Sequence, residues 1–133
     1  MTRIQGIIPI LPTPFRDDGS VDEAGMRRAV GYVLRAGAHG VAFPAMASEF
    51  YSLTDAERLR LTEVVVNEVS GAVPVVGTAT AQSPQAAVEL ARGVARAGVD
   101  AVMVMPPYVV RDGPPGVTRL FTELASAIDL PLI

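Results

Sequence analysis

The chain has 133 residues, half of them hydrophobic, with 11 basic and 14 acidic side chains and a formal charge of -3. That length and apolar share suffice for one buried core, and the charge balance offers no footprint for nucleic acid or an anionic membrane, so a small-molecule partner is the default. Absence of cysteine excludes disulfides, thiolate metal sites and thiol nucleophiles, and a single histidine excludes a histidine-rich metal site.

The opening Met1 to Gly6 lacks the long apolar stretch of a secretory leader, and no run approaches the roughly 20 apolar residues that span a bilayer, so a cytoplasmic protein is expected. Gly6 to Leu11 is short and apolar and reads as a buried strand, left by a Thr13-Pro14-Phe15 loop. Asp17-Asp18-Gly19-Ser20 is turn chemistry with Ser20 as the expected cap. Met26, Ala29, Val30, Val33 and Leu34 then follow at helical spacing up to Gly37. Gly40 to Phe43 is expected as a second strand, Met46 to Leu53 as a loop, and Thr54-Asp55-Ala56-Glu57 as a capping box opening a helix to about Gly71. Val73 to Gly77 reads as a third strand, followed by Ser83-Pro84 starting a helix with Ala87, Leu90, Ala91, Val94 and Ala95 on one face, ended by Gly98. Ala101 to Met105 reads as a fourth strand, Val117 to Ile128 as a fourth helix, and Leu130 to Ile133 as the start of a fifth strand.

Arg35-Ala36-Gly37-Ala38-His39-Gly40-Val41 is echoed by Arg96-Ala97-Gly98-Val99-Asp100-Ala101-Val102, a weak repeat of one βα step. Apolar strands joined by helices require a parallel sheet covered by helices, either doubly wound or closed into a barrel, and pattern alone leaves both open. Four βα units and an unfinished fifth fit half a barrel.

In either architecture ligands lie at the C-terminal ends of the strands, which singles out residues 11–20, 45–53, 78–83 and 106–115. His39 falls at the opposite end and is expected to be structural. In Pro44 to Phe50, small residues let backbone amides approach a ligand beside Ser48 and Glu49; Glu49 either serves the ligand or bonds neighbouring amides to hold the turn. Tyr108 either shuttles a proton or packs against the loop. No phosphate loop, dinucleotide fingerprint, HExxH or nucleophile elbow is present. All eleven basic residues are arginine, so the usual amine for covalent carbonyl chemistry is missing.

Gly6 to Phe15, Asp18-Gly19-Ser20-Val21-Asp22, Val73 to Ala79, and Gly98 to Tyr108 with its Pro106-Pro107-Tyr108 ending together resemble, in order and spacing, the dihydrodipicolinate synthase and N-acetylneuraminate lyase family. The resemblance covers nearly the whole chain and implies an α/β fold, the (β/α)8 TIM barrel. Residues 1–133 would then be the N-terminal half of one barrel domain. It implies lyase, aldolase or dehydratase chemistry on pyruvate or another 2-keto acid, through a lysine on strand six that forms an imine, with no metal or organic cofactor. The family's GTTGE motif corresponds to Ala45-Met46-Ala47-Ser48-Glu49, which implies that Met46, Ala47 and Ser48 bind the keto acid. Both threonines are replaced, which removes the first hydroxyl of the proton relay used by dihydrodipicolinate synthase, and Ser48 offers a partial substitute. Ser48 to Thr54 is similar instead to the GEFFSLT stretch of 5-dehydro-4-deoxyglucarate dehydratases, implying a 2-keto-3-deoxy sugar acid branch. Tyr108 matches the family tyrosine lent across a dimer interface, implying a catalytic role and a homo-oligomer, dimer or tetramer. The family's principal catalytic tyrosine and imine lysine would both fall past Ile133. The alternative expectation is a non-catalytic half-barrel that oligomerises or binds a partner through its exposed strand edges.

Overall fold

The computed structural model describes residues 4–109 and 113–133. Met1 to Arg3 at the start of the chain, and Val110, Arg111 and Asp112 of the expected 106–115 loop, lie outside the described residues. In chain order the elements are α1 (Glu23–Arg35), β1 (Val41–Phe43), α2 (Asp55–Val69), β2 (Val75–Thr78), α3 (Pro84–Ala97), β3 (Ala101–Met103) and α4 (Pro114–Ala127). The strands form one parallel sheet in the order β1-β2-β3, with Val41 opposite Val75 and Val76 opposite Ala101.

Prolines decide where pairing begins. The first expected strand, Gly6 to Leu11, runs beside β1 but makes a single parallel bridge, Ile10 to Ala42, in which the Leu11 N–H donates to Ala42 O and the Ala42 N–H to Pro9 O. The next rung needs an N–H on Pro9, which proline lacks. Nor is the segment buried as expected, because Ile7 and Ile10 are exposed while Leu11 is fully enclosed. The same geometry starts β2 at Val75, after Pro74, and confines Leu130 to Ile133 to one bridge, Leu132 with Val102, past Pro131.

The helices form for the expected reasons in two cases. α2 opens on a capping box, the Thr54 N–H bonding Glu57 Oε2 at 2.9 Å and the Glu57 N–H bonding Thr54 Oγ1 at 3.2 Å. In α3, Ser83 Oγ accepts the Ala86 N–H, Pro84 supplies a first residue that needs no N–H, and Gly98 ends the helix at φ +93°. The other two starts differ from expectation. Asp22, not Ser20, precedes α1, because Ser20 is committed to Asp18, whose Oδ1 accepts both the Ser20 N–H and hydroxyl. α4 begins at Pro114 rather than Val117, since consecutive prolines hold helical φ in a first turn whose donors are orphaned anyway.

α1 packs on α2, α2 on α3, and α3 on α4. All four helices share one apolar cluster with one face of the sheet: Val41, Phe43, Val75 and Val102 meet Met26, Val30, Leu61, Val65, Leu90, Val94, Leu120 and Leu124. Side chains alternate across strands, so Ala42, Val76 and Ala101 point the other way, into a separate small cluster with Ile4, Ile8 and Met103 that contains no helix residue. Burying each leucine or valine contributes roughly 1.5–3 kcal/mol, and the larger cluster is where the fold is held. Helices on a single face are what a barrel wall needs, whereas a doubly wound sheet needs them on both. No helix among the described residues is long and apolar enough to cross a membrane.

Candidate active site

The C-terminal ends of the strands open on a cleft of about 440 Å3, lined by Ile10, Ala45, Met46, Phe50, Thr78, Thr80, Met103 to Pro106, and Ile133. It is strongly apolar, and the two threonine hydroxyls are already engaged. Thr78 Oγ1 bonds Pro44 O, and Thr80 Oγ1 accepts the Met105 N–H at 3.0 Å.

The loop after β1 forms the cleft's rim. Past the cis Phe43-Pro44 bond, Met46–Ser48 make one 3-10 turn and Phe50–Ser52 another, joined at Glu49 in the left-handed region, φ 53°. Ser48 is fully buried, and its hydroxyl accepts the Ala45 N–H at 3.0 Å and donates to Leu11 O at 2.5 Å. Thr13 Oγ1 in turn donates to Ser48 O at 2.5 Å. Ser48 therefore joins the loop to the first extended segment. Glu49 does not hold the turn through its carboxylate, as one expectation had it: its side chain is exposed and has no hydrogen bond among the described residues. A buried hydroxyl bonded to two backbone groups fixes the turn better than a carboxylate in water.

Of the residues expected to bind substrate, Met46 lines the cleft and is 53% exposed. Ala47 is exposed and Ser48 buried, and neither side chain lines the cleft. The N–H groups of Met46 and Ala47, first in their 3-10 turn, have no acceptor among the described residues. Tyr108 is 39% exposed and sits edge-on to Phe50, ring centroids 6.4 Å apart and planes at 90°. The packing expected of Tyr108 is thus present, against a ring that itself lines the cleft. Gln82 Oε1 accepts the N–H of the neighbouring Val109 at 3.3 Å, a second tie between the loops after β2 and β3. At the other end, His39 accepts the Ile7 N–H through Nδ1 at 3.1 Å and fills the space beside Gly6, the structural role expected of it.

Sequence reasoning missed Arg58. It is buried at 5% exposure, Nη2 donating to Thr80 O at 2.9 Å and Nη1 to Asp55 Oδ1 at 3.2 Å, with its guanidinium carbon 5.1 Å from the Phe50 ring centroid. Burial pushes the guanidinium below its ordinary value, and Asp55 opposes that shift. A signal existed: Arg58, Leu61, Thr62, Val65 and Val69 are buried at helical spacing, so an arginine stands on the apolar stripe of α2. Thr78 and Thr80 fell inside the segment singled out, but not as named residues.

Parallel strands whose helices share one face, with a rimmed apolar cleft at their C-terminal ends, define an α/β protein of the kind whose ligand sites lie at those strand ends. Residues 3–133 match the model of the dihydrodipicolinate synthetase family, and the chain belongs to that family. It is 38% identical over 132 residues to the 4-hydroxy-tetrahydrodipicolinate synthase of Methanopyrus kandleri, covering 98% of this chain and 44% of that protein. To the Thermus thermophilus enzyme of the same name it is 41% identical over 130 residues, covering 97% and 43%. Among solved structures, it superposes with a TM-score of 0.92 and 28% identity on YagE, a prophage protein of the same family from E. coli K12 in complex with pyruvate, over 96% of this chain and 43% of that one. The chain thus spans less than half the length of the relatives it matches.

Proposed function

We propose that residues 1–133 are the N-terminal half of a single (β/α)8 barrel domain whose whole acts as a class I lyase, aldolase or dehydratase on pyruvate or a 2-keto-3-deoxy sugar acid. The observation that carries this reading is the cleft at the C-terminal strand ends of a chain matched to this family almost from end to end. Helices confined to one sheet face support the barrel, and relatives more than twice as long leave room for the remaining βα units.

In this reading the Met46 and Ala47 N–H groups receive the keto acid's carboxylate, Ser48 fixes the turn that presents them, and Tyr108, lent by a neighbouring copy of the chain, moves a proton near the reacting carbon. No lysine occurs among these residues. The amine therefore comes from polypeptide beyond them: it adds to the keto carbon, water leaves, and the protonated imine accepts electrons from the bond being broken. The reaction needs no metal or organic cofactor. The protein works as a homo-oligomer in the cytoplasm, with no nucleic acid or membrane as partner.

The test is the intact mass of the native protein with and without pyruvate and borohydride. A mass more than twice that of these residues, with a trapped adduct, supports the lyase. A mass equal to these residues and no adduct removes it, and favours a non-catalytic half-barrel that pairs through its flanking segments, where Ile10 and Ile133 are 40% and 53% exposed. A panel of keto acids separates the sugar-acid dehydratase from the aldolase and the synthase.

A further inference from the structure

Arg58 is the most deeply buried charge among the described residues, and its ion pair does not account for it. Asp55 is 68% exposed, so that bond faces water and contributes little, while Arg58 Nε has no hydrogen-bond partner among the described residues. What the guanidinium gains inside the fold is the Thr80 carbonyl and the face of Phe50. Both contacts lead to the same place. Phe50 touches both Arg58, whose guanidinium carbon is 5.1 Å from its ring centroid, and Tyr108, whose ring centroid is 6.4 Å away. Thr80, whose carbonyl Arg58 holds, accepts on its hydroxyl the N–H of Met105, the residue before the Pro106-Pro107-Tyr108 turn.

We propose that Arg58 is a positioning residue that fixes Tyr108 at the rim of the cleft, through the Phe50 ring on one side and through Thr80 and Met105 on the other. The role matters for catalysis only if Tyr108 is the working phenol of the lyase reading above. The fixing itself is a property of this chain and is measured separately. A guanidinium does both tasks at once, because one arm of its fork reaches a carbonyl while its cationic carbon lies over a ring; a lysine ammonium offers the charge without the fork.

The experiment is ring-to-ring NOE spectroscopy on the native protein with labelled Phe and Tyr. The wild type is expected to show a Phe50 to Tyr108 cross-peak. Arg58→Met is expected to lose it and to move the Tyr108 ring signals toward those of Tyr32, which is 68% exposed. Arg58→Lys is expected to recover part of the cross-peak. Leu61→Ala, which empties the core on the same helix, is expected to lower stability and leave the cross-peak intact. An unchanged cross-peak in Arg58→Met overturns the proposal. Should Arg58→Met not fold, Phe50→Leu replaces it, and a Tyr108 signal unmoved by that change overturns the proposal equally. In the native protein, Arg58→Met is expected to lower kcat by on the order of tenfold to a hundredfold with KM little changed, the signature of a misplaced group. Absence of imine trapping would remove the lyase reading and leave the NOE result to judge Arg58.

Discussion

Replacing Ser48 by alanine separates the two ways in which the loop after β1 could be held. In the folded chain the Ser48 hydroxyl satisfies the Ala45 N–H and the Leu11 carbonyl, and Ala45 and Leu11 are 8% and 0% exposed. Truncation leaves both backbone groups without that partner in a place water barely reaches. Each buried group so orphaned costs about 1–3 kcal/mol, so Ser48→Ala is expected to lose roughly 2–4 kcal/mol after some relaxation. Thr13→Ala removes one half-buried bond to Ser48 O and is expected to lose about 0.5–1.5 kcal/mol. Glu49→Gln, which alters an exposed side chain with no hydrogen bond among the described residues, is expected to stay within about 0.5 kcal/mol. Urea denaturation followed by far-ultraviolet circular dichroism measures all three, with unchanged m-values showing that the states compared are the same. A Ser48→Ala loss no larger than that of Glu49→Gln would refute the assignment of the turn to Ser48.

Gly6→Ala combines a left-handed backbone, φ +79°, with a Cβ that would lie 2.5 Å from His39 Cγ. Strain of about 1–2 kcal/mol plus displacement of the His39 ring is expected, read as a lower thermal midpoint and loss of exchange protection at the Ile7 amide. Acid should weaken the fold through Glu23, whose carboxyl is held below its usual value first by its bond to Arg60, at 2.7 Å. Because its folded value lies below the unfolded value near 4.5, its contribution is present above that pH and is lost as pH falls through the folded value. Thermal midpoints measured from pH 7 downward should therefore drop more steeply below pH 4.5 in the wild type than in Glu23→Gln; parallel curves would contradict this. The effect is small, since both partners face water.

Helices were legible where the signal is local. The Thr54-Glu57 box and the run from Ser83-Pro84 to Gly98 carry their own start and stop chemistry, and α2 and α3 fall where those residues place them. Signals that compete locally were read less well: Ser20 has cap chemistry, but Asp18 two residues earlier takes both of its donors. Strand lengths depend on rungs, so Pro9 and Pro131 shorten pairing that apolar pattern alone extends. Ser48 was singled out for its hydroxyl, yet that hydroxyl's partner, Leu11 O, is 37 residues away, a contact no window of sequence contains. Arg58 was overlooked because arginine is ordinarily a surface residue, although its spacing with Leu61 and Val65 placed it on the buried stripe.

The most direct measurement of the central claim is a crystal structure of the native protein with pyruvate and borohydride. The expected result is a reduced amine adduct of pyruvate in the cleft between Met46 and Met105, its carboxylate within hydrogen-bond distance of the Met46 and Ala47 N–H groups and its former keto carbon facing Tyr108 of a neighbouring copy. A keto acid bound away from the strand ends, or in the cleft with its carboxylate turned from those amides, would contradict it.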